Sequence, residues 1–263
     1  MTETILITGA KGTIGSMLRQ SLRKEGRHLK LLDIAAQSPL DDDEDAELLV
    51  GSFLDRDTLT NAVDGTDAII HMGGLSSAGY QWPEYLEINI DGTHALLEAA
   101  RLAGVPRMVY ASSNHAVGFA RASDYETVPD YLYPKPDTLY GVSKAASEGL
   151  CSLYWDRYGI HSICLRIGSY RERPTDKRAL LTWLSPGDCT RLVEASLQVP
   201  DPGFRVVWGI SNNTRRVVSL EEGRAIGYDP QDDAEIYASE LIPITAKEEI
   251  DFIGGPYAGK DRT

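Results

Sequence analysis

Residues 5–15 read Ile5-Leu6-Ile7-Thr8-Gly9-Ala10-Lys11-Gly12-Thr13-Ile14-Gly15, a short apolar run followed directly by three glycines spaced three residues apart. The next residues have an amphipathic helical pattern, with one apolar face from Ile14 to Leu22. Glycines allow the backbone to approach a ligand closely, and a helix N-terminus favours negative charge. The stretch therefore predicts a strand, a phosphate-binding loop and a helix, the first unit of a nucleotide-binding sheet.

The second predicted strand, His28–Leu32, ends at Asp33, which lies 18 residues after Gly15. An acid at this distance is placed to accept hydrogen bonds from the adenosine ribose and to repel a 2′-phosphate. This favours NAD over NADP. The alternatives are that Asp33 only caps a loop, and that Lys11 helps to bind an NADP phosphate.

Apolar runs and helical patterns alternate along the rest of the chain. The predicted strands are 5–8, 28–32, 48–50, 68–71, 108–111, 162–167 and 206–210, and the predicted helices are 14–22, 55–63, 82–103, 138–158 and 185–198. This order predicts an α/β fold with a doubly wound parallel sheet, the Rossmann fold. We expect residues 1–169 to form the NAD-binding domain and residues 170–263 to form a small substrate lobe that does not fold independently.

Three local expectations follow from the pattern. The acidic run Asp41–Asp45 should be a solvated loop, because its charges repel one another and are best hydrated. His71 should be packed and hydrogen-bonded rather than catalytic. In the helix from Trp82, Leu86 and Ile90 should face inward with Leu96, Leu97 and Ala100, and Asn89 should serve structure.

The pair Tyr140 and Lys144 carries the chemistry in this interpretation. Residues four apart share a helix face. A phenol has an unperturbed pKa of about 10, and a nearby ammonium favours the phenolate. The pair could therefore take a proton from a substrate hydroxyl. Taken alone, such a pair more often lies on a solvated helix face. Small polar residues, however, also follow the predicted strands at 73–76, 112–115 and 168–169, where ligands of such sheets bind.

Composition excludes some partners. Lys and Arg number 26 and Asp and Glu number 39, so the net charge is −13, which argues against nucleic acid or an anionic membrane. No apolar run is long enough to span a bilayer, and residues 1–4 do not resemble a signal peptide. The three cysteines lack metal-site spacing, so we predict no metal and a reducing, cytoplasmic location. An anionic substrate would need a local cation, and residues 171–178 are locally cationic.

In combination, these motifs resemble the extended short-chain dehydrogenase/reductase superfamily. The matching residues are Thr8-Gly9-x-x-Gly12-x-x-Gly15, Asp33, Asn89-x-x-Gly92-Thr93 and Tyr140-x-x-x-Lys144. Within it the chain looks most like the uronate dehydrogenases, through Gly73–Ser76, Ala111–His115, Leu139–Lys144, Arg166–Ser169, Arg178 with Thr182-Trp183, and Val207–Gly209. The resemblance implies oxidation of a hexuronate at its anomeric carbon, with NAD accepting hydride and an aldarolactone as product.

The resemblance also implies residue roles. Tyr140 takes the anomeric hydroxyl proton, Lys144 binds the nicotinamide ribose, and Ser113 holds the reacting oxygen, although in other members the third residue aligns nearer Asn114. The implied cofactor-binding residues are Gly9, Lys11, Gly12, Thr13, Ile14, Gly15, Asp33, Ser52, Met72, Gly73, Gly74, Asn89, Ser112, Lys144 and Ile167. The implied substrate-binding residues are Ser76, Ser113, Asn114, His115, Tyr140, Ser169 and Arg178, with Arg178 pairing with the carboxylate.

Other functions stay open on the sequence. An NAD-dependent glucose-6-phosphate dehydrogenase of the same superfamily shares residues 113–118 and an arginine at position 178. A nucleotide-sugar epimerase or reductase would usually have a larger C-terminal lobe. A non-catalytic NAD-sensing regulator would often lack Tyr140 or Lys144. By resemblance we also expect a homo-oligomer formed through the helices that carry Asn89 and Tyr140.

Overall fold

The computed structural model describes residues 2–76, 79–241 and 251–258. The strands in these ranges are β1 Glu3–Thr8, β2 Arg27–Asp33, β3 Ala46–Val50, β4 Ala68–His71, β5 Arg107–Ser113, β6 His161–Ile167, β7 Ser169–Tyr170, β8 Trp183–Leu184 and β9 Phe204–Gly209. The α-helices are α1 Thr13–Ser21, α2 Arg56–Val63, α3 Trp82–Glu84, α4 Gly92–Ala103, α5 Leu139–Tyr158, α6 Ala179–Thr182, α7 Pro186–Gln198, α8 Glu221–Ala225 and α9 Ala238–Leu241. A π-helical segment, Tyr85–Asp91, joins α3 to α4.

Seven strands form one sheet in the order β3-β2-β1-β4-β5-β6-β9, and β7 pairs with β8 in a second, two-stranded sheet. The pairs β1–β2, β1–β4, β2–β3 and β4–β5 are parallel. The chain starts at β1 and winds outward in both directions. Ile5, Leu6 and Ile7 of β1 have no exposed surface, as expected for a central strand covered on both faces. The predicted α/β fold with a doubly wound parallel sheet is confirmed.

The chain clusters into two compact units. The first unit contains residues 1–111, 146–164 and 200–205, and the second contains residues 112–145, 165–199 and 206–263. Each unit is assembled from three chain segments. The division into a domain of residues 1–169 and a lobe of residues 170–263 stays a prediction. The first unit holds β1 to β4 with α1, α2 and α4, and the second holds β7 and β8 with α6 to α9.

Side-chain caps explain where two predicted helices begin. Asp55 precedes α2 and accepts a hydrogen bond from the Thr58 amide at 2.9 Å. Ser185 precedes α7 and accepts from the Asp188 amide at 2.9 Å, with Pro186 at the first helical position. Ser and Asp caps satisfy amides that the first turn leaves without a helical acceptor. The predicted start of α7 is confirmed.

The helix from Trp82 differs from the prediction on one face. Leu96, Leu97 and Ala100 are buried as expected, but Leu86 is 40% exposed and Ile90 is only partly buried. The cause is the π-helical segment, whose wider turn rotates its side chains relative to a regular α-helix. The inward direction predicted for Leu86 was therefore wrong.

The acidic run also differs from the prediction. Asp41, Asp42 and Asp43 are exposed, but the Glu44 side chain has no exposed surface. Its two oxygens lie 2.6 Å from Nε and 2.8 Å from Nη2 of Arg19. The Arg19 guanidinium holds the pKa of the Glu44 carboxyl below its usual value. The prediction of a solvated loop was wrong for Glu44, because this carboxylate binds a buried arginine of α1.

We expect Glu44→Ala to lower the free energy of unfolding by about 3 kcal/mol, because it leaves a buried Arg19 charge without its partner. The folded-state pKa of Glu44 is depressed, so its contribution is present above the unfolded value of about 4.3 and is lost as the pH falls through the lower folded pKa. Urea unfolding at neutral and acidic pH measures both effects. The matched control is Asp42→Ala, which removes an exposed acid of the same loop; equal losses in the two variants would contradict the role of Glu44.

Among the described residues, no helix is both long enough and apolar enough to cross a membrane.

Candidate functional site

The glycine loop of the first unit is packed too closely for side chains. Gly9 has φ of 68°, in the left-handed region, and a Cβ there would lie 2.6 Å from the Gly73 amide nitrogen. A Cβ at Gly15 would overlap the Gly9 carbonyl oxygen. The loop that follows β1 is thus held against the loop that follows β4, which explains why glycine occupies these positions.

The N-terminus of α1 is open to a ligand. Gly12 is its N-cap residue, and in the described part of the chain no side chain caps this helix and no acid occupies its first turn. Lys11, Gly12 and Thr13 are exposed. Backbone amides at such a terminus bind phosphate oxygens. The residues present therefore fit the pyrophosphate of a dinucleotide.

Asp33 supports the same loop. One carboxylate oxygen accepts a hydrogen bond from the Lys11 amide at 2.9 Å, and the other accepts from the Ala35 amide at 3.1 Å. Asp33 thus fixes the glycine loop while it remains partly exposed. Ser52 has a local role, since its hydroxyl accepts from the Leu54 amide at 3.0 Å in the turn before α2.

A buried polar chain supports the loop after β4. His71 is 1% exposed, and its ring nitrogens lie 2.6 Å from Thr8 Oγ1 and 3.2 Å from Thr93 Oγ1. The prediction of a packed, hydrogen-bonded His71 is confirmed. Asn89 is buried, and its side-chain amide makes two hydrogen bonds to the backbone of Leu75. Its Oδ1 accepts from the Leu75 nitrogen at 2.8 Å, and its Nδ2 donates to the Leu75 oxygen at 3.1 Å. Asn89 therefore shapes the loop that carries Met72, Gly73, Gly74 and Ser76.

In the second unit, α5 places Tyr140 and Lys144 on one face. The Lys144 ammonium lies 5.6 Å from the centroid of the Tyr140 ring, and Lys144 is 5% exposed. Tyr140 is only partly buried. A buried cation beside a phenol stabilises the phenolate, the form that accepts a proton.

The residues after β5 form a short 3₁₀-helix, Asn114–Val117. Ser113 and Asn114 are both buried, but they differ in what they contact. The Ser113 hydroxyl accepts from the His115 amide at 3.2 Å, while the Asn114 amide donates to the Ile253 carbonyl at 3.1 Å. The assignment of the third catalytic position to Ser113 stays a prediction.

Arg178 occupies a partly buried position in the second unit. Its Nη1 donates to Ser169 Oγ and its Nη2 to the Ile253 carbonyl, both at 3.0 Å. Its Nε is buried and has no hydrogen-bond partner among the residues that the structure describes. Burial lowers the pKa of Arg178, so an anion bound beside it would restore the lost solvation.

The structure adds residues that the sequence pattern did not indicate. The Ile253 carbonyl accepts from both Asn114 and Arg178, and the Tyr257 ring lies edge-on to His115 at 5.2 Å. Asp137 accepts a hydrogen bond from His115. The apolar pattern near the C-terminus is too weak to indicate a role for Ile253 or Tyr257. An acid immediately before the helix of Tyr140 was a signal for the third, but it falls in a long loop.

The predicted site residues fall into two groups. The first unit contains Gly9, Lys11, Gly12, Thr13, Ile14, Gly15, Asp33, Ser52, Met72, Gly73, Gly74, Ser76 and Asn89, and the second contains Ser112, Ser113, Asn114, His115, Tyr140, Lys144, Ile167, Ser169 and Arg178. Each predicted nucleotide-binding motif before β5 thus lies in one unit. Each predicted catalytic residue lies in the other.

Comparison with known proteins places these features in context. The family described as "NAD dependent epimerase/dehydratase family" matches residues 5–181. Uronate dehydrogenase of Pseudomonas syringae pv. tomato is 39% identical over 237 residues, 90% of this chain and 85% of that protein. NAD-dependent glucose-6-phosphate dehydrogenase of Haloferax volcanii is 34% identical and covers 93% of this chain and 99% of that protein. The solved structure of a tyrosine-to-alanine mutant of Agrobacterium tumefaciens uronate dehydrogenase, complexed with NAD, superposes with a TM-score of 0.90 at 33% identity and covers 98% and 97% of the two chains.

Proposed function

The chain belongs to the NAD dependent epimerase/dehydratase family, and on that premise we propose that it oxidises a hexuronate, glucuronate or galacturonate, at the anomeric carbon to an aldarolactone. The protein is an NAD-dependent sugar-acid dehydrogenase, like the uronate dehydrogenases to which it is similar over most of its length. Its own residues supply the two features that this reaction needs, a proton acceptor and an anion-binding cation.

The observation that carries the proposal is the environment of Arg178. The guanidinium is partly buried, is oriented by Ser169 and Ile253, and keeps one buried donor, Nε, without a partner in the described structure. The whole protein has a net charge of −13, so a local cation is required to hold an anion. A planar guanidinium matches a carboxylate better than a lysine ammonium does. We assign Arg178 to the uronate carboxylate.

Tyr140 is the general base of the proposed reaction. Its phenolate accepts the proton of the anomeric hydroxyl. The oxygen of that hydroxyl becomes the carbonyl oxygen of the lactone. Lys144, whose ammonium lies 5.6 Å from the centroid of the Tyr140 ring, stabilises that phenolate, and Ser113 holds the reacting oxygen. NAD, when bound, accepts the hydride from the anomeric carbon. Ser76, Asn114, His115 and Ser169 bind the sugar in this proposal.

Most of the proposed NAD-binding residues belong to the first unit. Support comes from the close packing of Gly9 and Gly15 and from the uncapped N-terminus of α1. The proposed NAD-binding residues are Gly9, Lys11, Gly12, Thr13, Ile14, Gly15, Asp33, Ser52, Met72, Gly73, Gly74, Asn89, Ser112, Lys144 and Ile167. Among them Asp33 sets the preference for NAD, because its carboxylate repels a 2′-phosphate.

We expect Asp33→Asn to lower the ratio of kcat/KM with NAD to kcat/KM with NADP by about tenfold or more, because a hydrogen bond to a charged group contributes about 1.5–3 kcal/mol. The ratio separates this effect from loosening of the loop, since a misplaced Lys11 amide would weaken both cofactors. Steady-state kinetics with each cofactor measures it, and Asp42→Asn is the control at an exposed acid. An unchanged ratio would leave Asp33 with its loop-fixing role alone.

A second candidate is oxidation of glucose 6-phosphate. The Haloferax volcanii relative with that name matches 93% of this chain, and a guanidinium can bind a phosphate as well as a carboxylate. The identity to the Pseudomonas syringae uronate dehydrogenase is higher, 39% against 34%. We therefore place the uronate first.

The deciding experiment follows NADH absorbance with purified protein, NAD and one sugar at a time. Glucuronate, galacturonate and glucose 6-phosphate are compared at low and high salt. We expect turnover with the uronates and none with glucose 6-phosphate. Turnover of glucose 6-phosphate alone would assign Arg178 to a phosphate and replace the first candidate by the second.

We propose a homo-oligomer that pairs through α4 and α5. The support is an exposed apolar surface on these helices in the first unit, where Leu102 is 64%, Leu153 is 45% and Tyr158 is 47% exposed. Single large apolar side chains are common on surfaces, but several on neighbouring helices indicate an interface. Light scattering of the purified protein tests the assembly, and a monomer would contradict it.

We also propose a cytoplasmic location. Cys151, Cys164 and Cys189 are buried and form no disulfide in the described residues, which is usual in a reducing compartment. Fractionation of the producing cells, followed by detection of the protein, tests this; recovery outside the cytoplasm would contradict it.

A further inference from the structure

Asp137 is a buried carboxylate that no step of the proposed reaction uses. Its side chain has no exposed surface, and both of its oxygens lie 2.9 Å from Nδ1 of His115. The backbone closes around it, because a Cβ at Gly118 or at Gly254 would overlap the carboxylate. The carboxylate therefore has almost no freedom to turn away from the histidine.

This contact decides which ring nitrogen of His115 carries a proton. An ionised carboxylate only accepts hydrogen bonds, so Nδ1 must be the donor whether the ring is neutral or charged. In the neutral ring the proton on Nδ1 leaves Nε2 bare, as an acceptor. The hydrogen-bond partner at one nitrogen thus sets the function of the other.

The His115 ring itself is fixed next to the catalytic pair. It lies edge-on to the Tyr140 ring at 5.9 Å and to the Tyr257 ring at 5.2 Å. Its backbone is fixed too, because its amide donates to Ser113 Oγ at 3.2 Å and a Cβ at Gly141 would overlap its carbonyl oxygen. A change in the orientation of the His115 ring would therefore alter its packing against Tyr140.

We propose that Asp137 is a positioning residue that holds His115 with Nε2 as a hydrogen-bond acceptor for a hydroxyl of the sugar. The inference rests on the proposed function for the identity of the ligand as a sugar. It separates two tasks within the second unit. Arg178 binds the anionic end of the substrate. His115, whose tautomer Asp137 determines, binds a neutral hydroxyl and so orients the sugar for proton transfer to Tyr140.

The substitution that tests this is Asp137→Asn, which keeps the size of the side chain. Both carboxylate oxygens face Nδ1 equally, so an amide in their place presents one donor to that nitrogen and removes the preference for a proton there. We expect kcat/KM for the sugar to fall about 10- to 100-fold, by analogy with the cost of losing the partner that orients a metal-binding histidine. The KM for NAD should stay within about twofold. Asp156→Asn, at an exposed acid of α5, is the control.

Two readouts distinguish positioning from packing. In a His115→Ala background, Asp137→Asn should cost almost nothing further in kcat/KM, since its effect passes through His115. In a nitrogen–proton correlation spectrum, neutral His115 of the unmodified protein should show a protonated Nδ1 and a bare Nε2; its signals are assigned by their loss in His115→Ala. The spectrum needs no sugar, so it stands even if the uronates are not turned over. A protonated Nε2, or a full additional loss in the double variant, would overturn the proposal.

Discussion

Tyr140→Phe is expected to lower kcat with a uronate by about 100- to 10,000-fold, the range that general acid–base catalysis contributes. Phenylalanine keeps the ring that packs against His115 and lies near Lys144, but it cannot accept the anomeric proton. Because the glycine loop and Asp33 are in the first unit, NAD affinity should be unchanged. Stopped-flow turnover gives kcat, and fluorescence titration gives the dissociation constant of NAD.

The matched control is Tyr133→Phe, which removes a hydroxyl from a tyrosine that is 86% exposed in the same unit. That variant should keep full activity. If Tyr140→Phe retained near-normal kcat, another group would be the base. If it lost NAD affinity as well, the loss of turnover would report on cofactor binding, and the role of the hydroxyl would remain unassigned.

The fold follows from local patterns in the sequence, and its exceptions follow from non-local contacts. Strand β4 and helix α7 form where the apolar periodicity and the Ser185 cap predict them. The exposure of Leu86 depends on a π-helical turn. Sequence patterns with the α-helical period of about 3.6 or the strand period of about 2 do not predict such a turn. The burial of Glu44 depends on Arg19, which lies 25 residues earlier. An acidic run is polar in sequence, and only a distant cation makes one of its members part of the interior.

The candidate site also combines features that follow from local sequence with features that depend on distant residues. Tyr140 and Lys144 could be paired from spacing alone, because four residues make one helical turn. The orientation of the remaining residues depends on distant chain segments: Asp137 is 22 residues from His115, and Ile253 is 139 residues from Asn114. Residues near the C-terminus carry little periodicity, so a carbonyl that accepts from both Asn114 and Arg178 has no signature in the sequence. Residue types could be predicted; hydrogen-bond partners could not.

Arg178→Ala is expected to raise the KM for glucuronate and galacturonate by about 30-fold or more, equivalent to about 2 kcal/mol, the lower range for truncating one partner of a buried charge pair. The KM for a neutral sugar such as galactose should change much less, because it has no carboxylate to lose. The fold should tolerate the change. Ser169 keeps its hydrogen bond with Thr182 at 2.9 Å, and the Ile253 carbonyl keeps the one from Asn114.

The comparison that decides the role of Arg178 is the ratio of kcat/KM for galacturonate to kcat/KM for galactose. Arg173→Ala is its control, because Arg173 lies in the same cationic stretch but is 60% exposed and pairs with an exposed Glu240. A surface cation contributes through long-range attraction. The effect of Arg173→Ala on the ratio should therefore be small and should disappear at high salt. The effect of Arg178 should persist better at high salt, since its guanidinium is partly buried and is held by Ser169 and Ile253. If both arginines lowered the ratio equally, or if Arg178→Ala weakened galactose as much as galacturonate, the carboxylate would be bound elsewhere.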